Sequence, residues 1–149
     1  MKKMKLPSHC PECGDTIALR RTPGRTMRYK NVDGLPVPAS LSIPTCRKCG
    51  TEWMNDTVAE AIDEAMEPVY RARLRAMVQR AIAVITELVS QSALERKLGM
   101  AQGYLTKLKS GTRDPSPELV LQLSIIALHP RQRLREIDQI LAGPQRGAA

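Results

Sequence analysis

Two short stretches, "CPECG" at residues 10–14 and "CRKCG" at 46–50, hold all four cysteines of the chain. Each is Cys-x-x-Cys followed by glycine. A tetrahedral zinc ion takes four thiolates at about 2.3 Å, and a tight turn presents two of them from one loop. Gly14 and Gly50 can adopt the positive φ that lets the backbone curl round a metal. Cys10, Cys13, Cys46 and Cys49 are therefore expected to close a single structural Zn(2+) site. One Cys-x-x-Cys would equally suit a redox dithiol; two matched pairs favour a metal over disulfides or free thiols. Four thiolates leave no open coordination position, so catalysis at the metal is not expected. His9, beside Cys10, is then a surface residue rather than a ligand.

Between the pairs, "TMRYKNVDGLPVPASLSIP" carries short Val, Leu and Tyr runs broken by Asp33, Gly34 and prolines. This predicts hairpin strands with a turn at "VDG". Strands so few and so polar need the metal for much of their stability.

Charge divides the rest. Residues 1–50 are basic, residues 52–68 carry only acids, and the chain is basic again from Arg71 to Arg113, for a net charge of +8 and a pI near 9.7. Such a field favours a polyanionic partner. Two basic blocks split by an acidic one predict two modules and a junction. With no Phe and one Trp, packing falls to aliphatic side chains, which suits helices. "MKKMKLPSHC" is basic without a following apolar run, unlike a signal peptide. No stretch is long and apolar enough to span a membrane. Reduced cysteines and a cytoplasmic location are expected.

The expected organisation is a zinc ribbon over 1–54, an acidic linker helix over 55–68, a helical domain over 69–142 and a disordered tail over 143–149. Asn55 or Asp56 caps the linker helix, and Pro68 interrupts it. From Val69, the positions Leu74, Met77, Val78, Ala81, Ile82, Ile85, Leu88 and Val89 recur at helical spacing. "SQSALERKL" predicts a short helix capped by Ser90 or Ser92 and ended by Gly99. "AQGYLTKLKSG" predicts a second, ended by Gly111. Ser116 caps "ELVLQLSIIAL", and Pro130 opens "RQRLREIDQIL". The fold class is thus mostly α with a small β zinc ribbon. Leu94, Leu98, Leu105, Leu108, Leu119, Leu123 and Ile126 are the expected helical core.

A helix, a short glycine turn and a second helix form a helix-turn-helix pattern. Residues 101–109 then supply a reading helix for a major groove. Gln102 can pair with adenine, and Lys107 and Lys109 can donate to guanine or phosphate. Thr106 and Tyr104 can touch thymine methyls or the backbone, and Arg113, just beyond, can grip phosphate. Ala101 and Gly103 complete this face. Double-stranded DNA is the expected partner, bound as a palindromic operator by a homodimer joined through the C-terminal domain. The stripe Leu134, Ile137 and Leu141 is a candidate for that interface or for the core. No catalytic constellation is present, and an enzyme is not expected.

"SQSALERKLGMAQGYLTKLKSGTRDPSPELVLQLSIIAL" resembles the Cro/repressor-type (XRE) helix-turn-helix domain. That resemblance implies that Gln91 opens the scaffold helix against phosphate and that Gln102, Gly103 and Lys107 face bases. Two residues depart from the pattern. Gly103 stands where such proteins often carry Asn or Gln. Glu95 stands where a small residue, often Ala, packs the two helices, so Glu95 either tilts the pair or points outward. The double Cys-x-x-Cys ribbon, the "YKNV" hairpin and the ending "LHPRQRLREI" together resemble the YgiT-type zinc-finger antitoxins, the MqsA-like family. That resemblance implies a toxin, usually an mRNA-cleaving ribonuclease, bound by the ribbon, and autorepression of the operon by the helical domain. A stand-alone zinc-containing helix-turn-helix regulator is the alternative.

Overall fold

The computed structural model describes residues 6–143. In chain order it holds β1 (Ile17–Arg20), β2 (Thr26–Tyr29), β3 (Val32–Pro36) and β4 (Ile43–Cys46). Five helices follow: α1 (Asp56–Thr86), α2 (Gln91–Lys97), α3 (Tyr104–Lys109), α4 (Pro117–Leu128) and α5 (Pro130–Ala142). The chain is mostly α with a small four-cysteine β module, and it divides into two compact units after Tyr70. The tail expected over 143–149 lies, apart from Gly143, outside the described residues.

In the first unit, β1 pairs antiparallel with β4 in a register that sets Ile17 opposite Cys46. β1 leaves the first cysteine turn and β4 enters the second, so this register carries one pair to the other. β2 and β3 form a separate hairpin. Its turn is at Lys30 and Asn31, and "VDG" lies inside β3. Contacts with the first half of α1 explain the difference. Lys30 adopts φ 52°, a left-handed conformation that disfavours L side chains. Its ammonium lies 5.3 Å from the Tyr29 ring centroid and 4.9 Å from that of Tyr70, and 2.6 Å from a Glu67 carboxylate oxygen. The Tyr70 hydroxyl donates to Asn31 at 2.8 Å, and the Tyr29 hydroxyl donates to Asp63 at 2.9 Å. Burial, and then Asp63, push the Tyr29 hydroxyl up from its ordinary pKa. Arg25 forms a two-pronged pair with Glu52.

α1 corrects the expected junction. The acidic helix predicted over 55–68 and the helix predicted from Val69 are one 31-residue element with Pro68 inside it. Asn55 is the cap, accepting the Val58 amide at 2.9 Å. Proline removes one helical hydrogen bond, to the Glu64 carbonyl, and crowds the preceding turn. Against that single loss, buried Val58, Ile62, Met66, Tyr70, Leu74 and Val78 recur at every fourth position through the proline. Tertiary burial outweighs the local propensity.

In the second unit, Ser90 caps α2 by accepting the Ala93 amide, and Ser116 caps α4 by accepting the Leu119 amide. Leu94, Leu105, Leu108, Leu119, Leu123 and Ile126 are buried as expected, together with Val78, Ile82, Ile85 and Val120. Leu98 is only partly covered.

Replacing Pro68 by alanine restores the missing amide and relieves the crowding. Pro68→Ala should stabilise the protein by about 1–3 kcal/mol, read as a higher urea midpoint in helical circular dichroism. An unchanged or lower midpoint would show that α1 is not continuous in solution.

Candidate metal centre and nucleic-acid interface

Each cysteine turn is closed by the same backbone bond. The Gly14 amide donates to the Cys10 carbonyl at 2.7 Å, and the Gly50 amide to the Cys46 carbonyl at 3.1 Å. Both glycines take positive φ, 77° and 74°, which an L side chain would resist. The β1–β4 register then gathers all four sulfurs within 4.8 Å of one another. Cys10 and Cys49 sulfurs are 3.6 Å apart, and Cys13 and Cys46 sulfurs 3.4 Å apart. Thiolates at 2.3 Å around a tetrahedral ion stand about 3.8 Å apart, so the cluster has the size of such a site. None of the four is in a disulfide. Cys10 and Cys46 are buried, Cys13 is half-buried and Cys49 is exposed. His9 stays outside the cluster, hydrogen bonded with the Ser8 hydroxyl at 3.0 Å.

Two of the thiols are shifted in opposite directions. The Thr51 hydroxyl and amide draw Cys49 down to about 6. Cys13 is pushed up to about 12: the Asp15 amide pulls it down, but hydrogen bonding with Cys46 and burial prevail. A cation held here would take all four as thiolates.

In the second unit, α2 and α3 pack against each other, and Leu94, Leu105 and Leu108 are each no more than 1% exposed. The reading helix is shorter than expected: α3 begins at Tyr104, and residues 101–103 form the turn. The turn chemistry explains this. Gly103 is the helix cap with φ 78° and no side chain to offer, a conformation a longer helix could not absorb. Ala101, Gln102, Thr106, Lys107 and Lys109 are exposed; Gln91, Gly103 and Tyr104 are partly covered. The Gln91 amide nitrogen donates to the Thr106 hydroxyl at 2.6 Å, so one end of Gln91 is engaged within the pair. The Arg113 guanidinium lies 4.8 Å from the Tyr104 ring centroid, and the Arg113 amide donates to the Lys107 carbonyl.

Three residues outside the expected set hold this geometry. Glu95 does not point outward; it is 3% exposed and accepts the Gly103 amide at 3.1 Å and the Leu105 amide at 2.9 Å. Gln79 of α1 donates to the Lys109 carbonyl at 3.1 Å, at the other end of α3. Asp114 accepts from Arg75 at 2.6 Å, with Arg71 at 3.7 Å. For Glu95 a signal existed: an acid where the pattern wants a small residue, eight positions before a glycine that cannot cap. Gln79 and Asp114 carry none, because their partners lie 30 and 39 residues away in sequence.

Residues 88–126 match the helix-turn-helix family. The match covers α2, α3 and most of α4, and it identifies a DNA-binding helix-turn-helix in the second unit. No curated protein matches the chain. Among the described residues, no helix is long and apolar enough to cross a membrane.

Cys46→Ser removes a buried candidate ligand. It should release one equivalent of metal to a colorimetric chelator under conditions where the wild type retains it, and lose the β signal. Retention of metal would show that three thiolates suffice. Arg75, and then Arg71, hold the Asp114 carboxyl below the usual range. A depressed carboxylate stabilises the fold fully above its unfolded pKa, near 3.9, and that contribution is lost as pH falls through the folded value. Asp114→Asn should therefore lower the melting temperature at neutral pH, and the gap to wild type should close in acid. A gap independent of pH would rule out the ion pair as its source.

Proposed function

We propose that this chain is a sequence-specific DNA-binding regulator whose α2–α3 pair reads a duplex and whose cysteine module is held by one structural Zn(2+). The observation that carries this reading is the helix-turn-helix with its outward Gln102, Thr106 and Lys107, inside the segment that matches that family. The net charge of +8 suits a polyanion. Cys10, Cys13, Cys46 and Cys49 would hold the ion, whose charge compensates four thiolates and fastens β1 to β4; zinc is the metal such a thiolate set favours. The role is binding rather than catalysis, and kept-reduced thiols with DNA as partner fit the cytoplasm.

The finer reading is a type II antitoxin that represses its own operon and neutralises a toxin, an mRNA-cleaving ribonuclease, through the N-terminal module. Its support is the resemblance in cysteine spacing and domain order to the MqsA-like family. A stand-alone regulator is the second reading, favoured by the family match resting on the reading domain alone. Zinc-loaded chain used as bait in lysate, with native mass spectrometry, separates them. One stoichiometric small protein, toxic when expressed alone, supports the antitoxin; promoter binding without such a partner supports the stand-alone regulator.

A homodimer on a palindrome completes the proposal. The stripe that is a candidate for its interface or for the core is split: Leu134 is buried in its own unit, whereas Leu141 is 62% exposed. Leu121, Ile125 and Leu128 of α4 form a second exposed stripe. A two-fold contact sets the same patch of both chains face to face, and this uncharged stripe suits it better than a charged face. Sedimentation on a duplex should give two chains per site.

Lys107→Ala should weaken binding to a selected duplex by about 1–3 kcal/mol and relax its sequence preference, with circular dichroism unchanged. Lys109→Ala or Arg113→Ala should weaken all duplexes about equally and reduce the salt slope by about one. Wild-type binding by all three variants would remove α3 from the interface.

A further inference from the structure

We propose that Glu95 is the positioning residue for base readout: its buried carboxylate sets where the reading helix begins and how it meets the groove. This rests on the DNA-reading assignment above. α3 has six residues, too short to be stable by its own hydrogen bonds. Its cap is a glycine in the left-handed conformation with no side chain, so the first-turn amides need acceptors from elsewhere. The Tyr104 amide takes the Ala101 carbonyl at 3.1 Å. The Gly103 and Leu105 amides take the two oxygens of Glu95, one each. α2 thus supplies the cap that α3 lacks, across the turn.

A carboxylate that is 3% exposed is costly to bury unless both oxygens are satisfied. Here the compensation is a pair of charge-assisted bonds at the positive end of a helix. Their directionality matters as much as their strength. Leu94, Leu105 and Leu108 would tolerate a small slide of α3 along α2. Two bonds from one side chain of fixed length to amides two residues apart would not. Gln102 lies immediately before the first clamped amide, and Thr106 and Lys107 follow the second, so the clamp fixes the residues that face outward.

The effect also has a diagnostic sign. Removing an acid beside a polyanion, taken alone, strengthens binding to every duplex. A loss of specific binding on removing Glu95 therefore cannot come from its charge acting on the DNA.

The test uses the full-length, metal-loaded chain as wild type, Glu95→Gln and Glu95→Ala. Glutamine keeps one acceptor and turns an NH2 against the other amide; alanine removes both. The probes are a duplex selected by the wild type from a random library and a shuffled duplex of the same base composition, titrated by fluorescence anisotropy. Affinity for the selected duplex should fall roughly tenfold or more. Affinity for the shuffled duplex should stay within about twofold or tighten, because phosphate charge sets it. Amide exchange at Gly103 and Leu105 should accelerate in both variants while the cooperative melt persists. Folded variants that keep the wild-type discrimination overturn the proposal, as do variants that lose both duplexes in equal proportion. If Glu95→Ala does not fold, Glu95→Gln carries the test; if neither folds, the role is structural and the proposal falls. A wild type that selects no duplex overturns the DNA reading and this proposal with it, whereas slow exchange at Gly103 and Leu105 would still establish the cap itself.

Discussion

Four sulfurs gathered within 4.8 Å are the constraint on which the first unit depends. As thiolates they would repel one another, and a shared cation would offset that repulsion. β1 and β4 have four residues each, too little pairing to stand unaided. The register that sets Ile17 opposite Cys46 is therefore both consequence and cause of the cluster. The β2–β3 hairpin is fastened differently, through Tyr29, Lys30 and Asn31 to Asp63, Glu67 and Tyr70. One unit thus uses two anchors, a metal site at the cysteine turns and an aromatic and acidic clasp at the hairpin.

What was legible in the sequence was chemistry carried by spacing. Two Cys-x-x-Cys-Gly pairs, serine caps at Ser90 and Ser116 and the apolar positions of α2, α3 and α4 all follow from neighbours a few residues apart. What was not legible came from further away. "VDG" is a good local turn, yet the chain turns at Lys30 because Tyr70 and Glu67, some 40 residues on, hold that conformation. Pro68 is a good local helix breaker, yet α1 passes through it because buried side chains at four-residue steps continue on both sides. In both cases a local preference worth about 1–3 kcal/mol met a larger tertiary gain.

The charge pattern shows the same divide. Read along the chain, acids and bases form blocks. In the fold, many acids are engaged within their own unit: Glu52 with Arg25, Glu67 with Lys30, Asp114 with Arg75. An arginine so paired contributes less to a field felt by DNA than its count suggests. Under the proposed DNA-binding role, the exposed Lys107, Lys109 and Arg113 would therefore matter more than the net charge.

The reading helix itself owns little of its stability. Its N-terminal amides are capped by Glu95 of α2 and a C-terminal carbonyl by Gln79 of α1, with Leu105 and Leu108 buried beneath. This arrangement separates two tasks. Directional contacts from other helices fix where α3 sits, and its exposed side chains are left free for the proposed base readout. Under the proposed reading, a change at Lys107 or Gln102 would alter which sequence is read without disturbing how the helix is held. By the same proposal a change at Glu95 would do the reverse: it would leave every outward group in place chemically but move the helix that carries them.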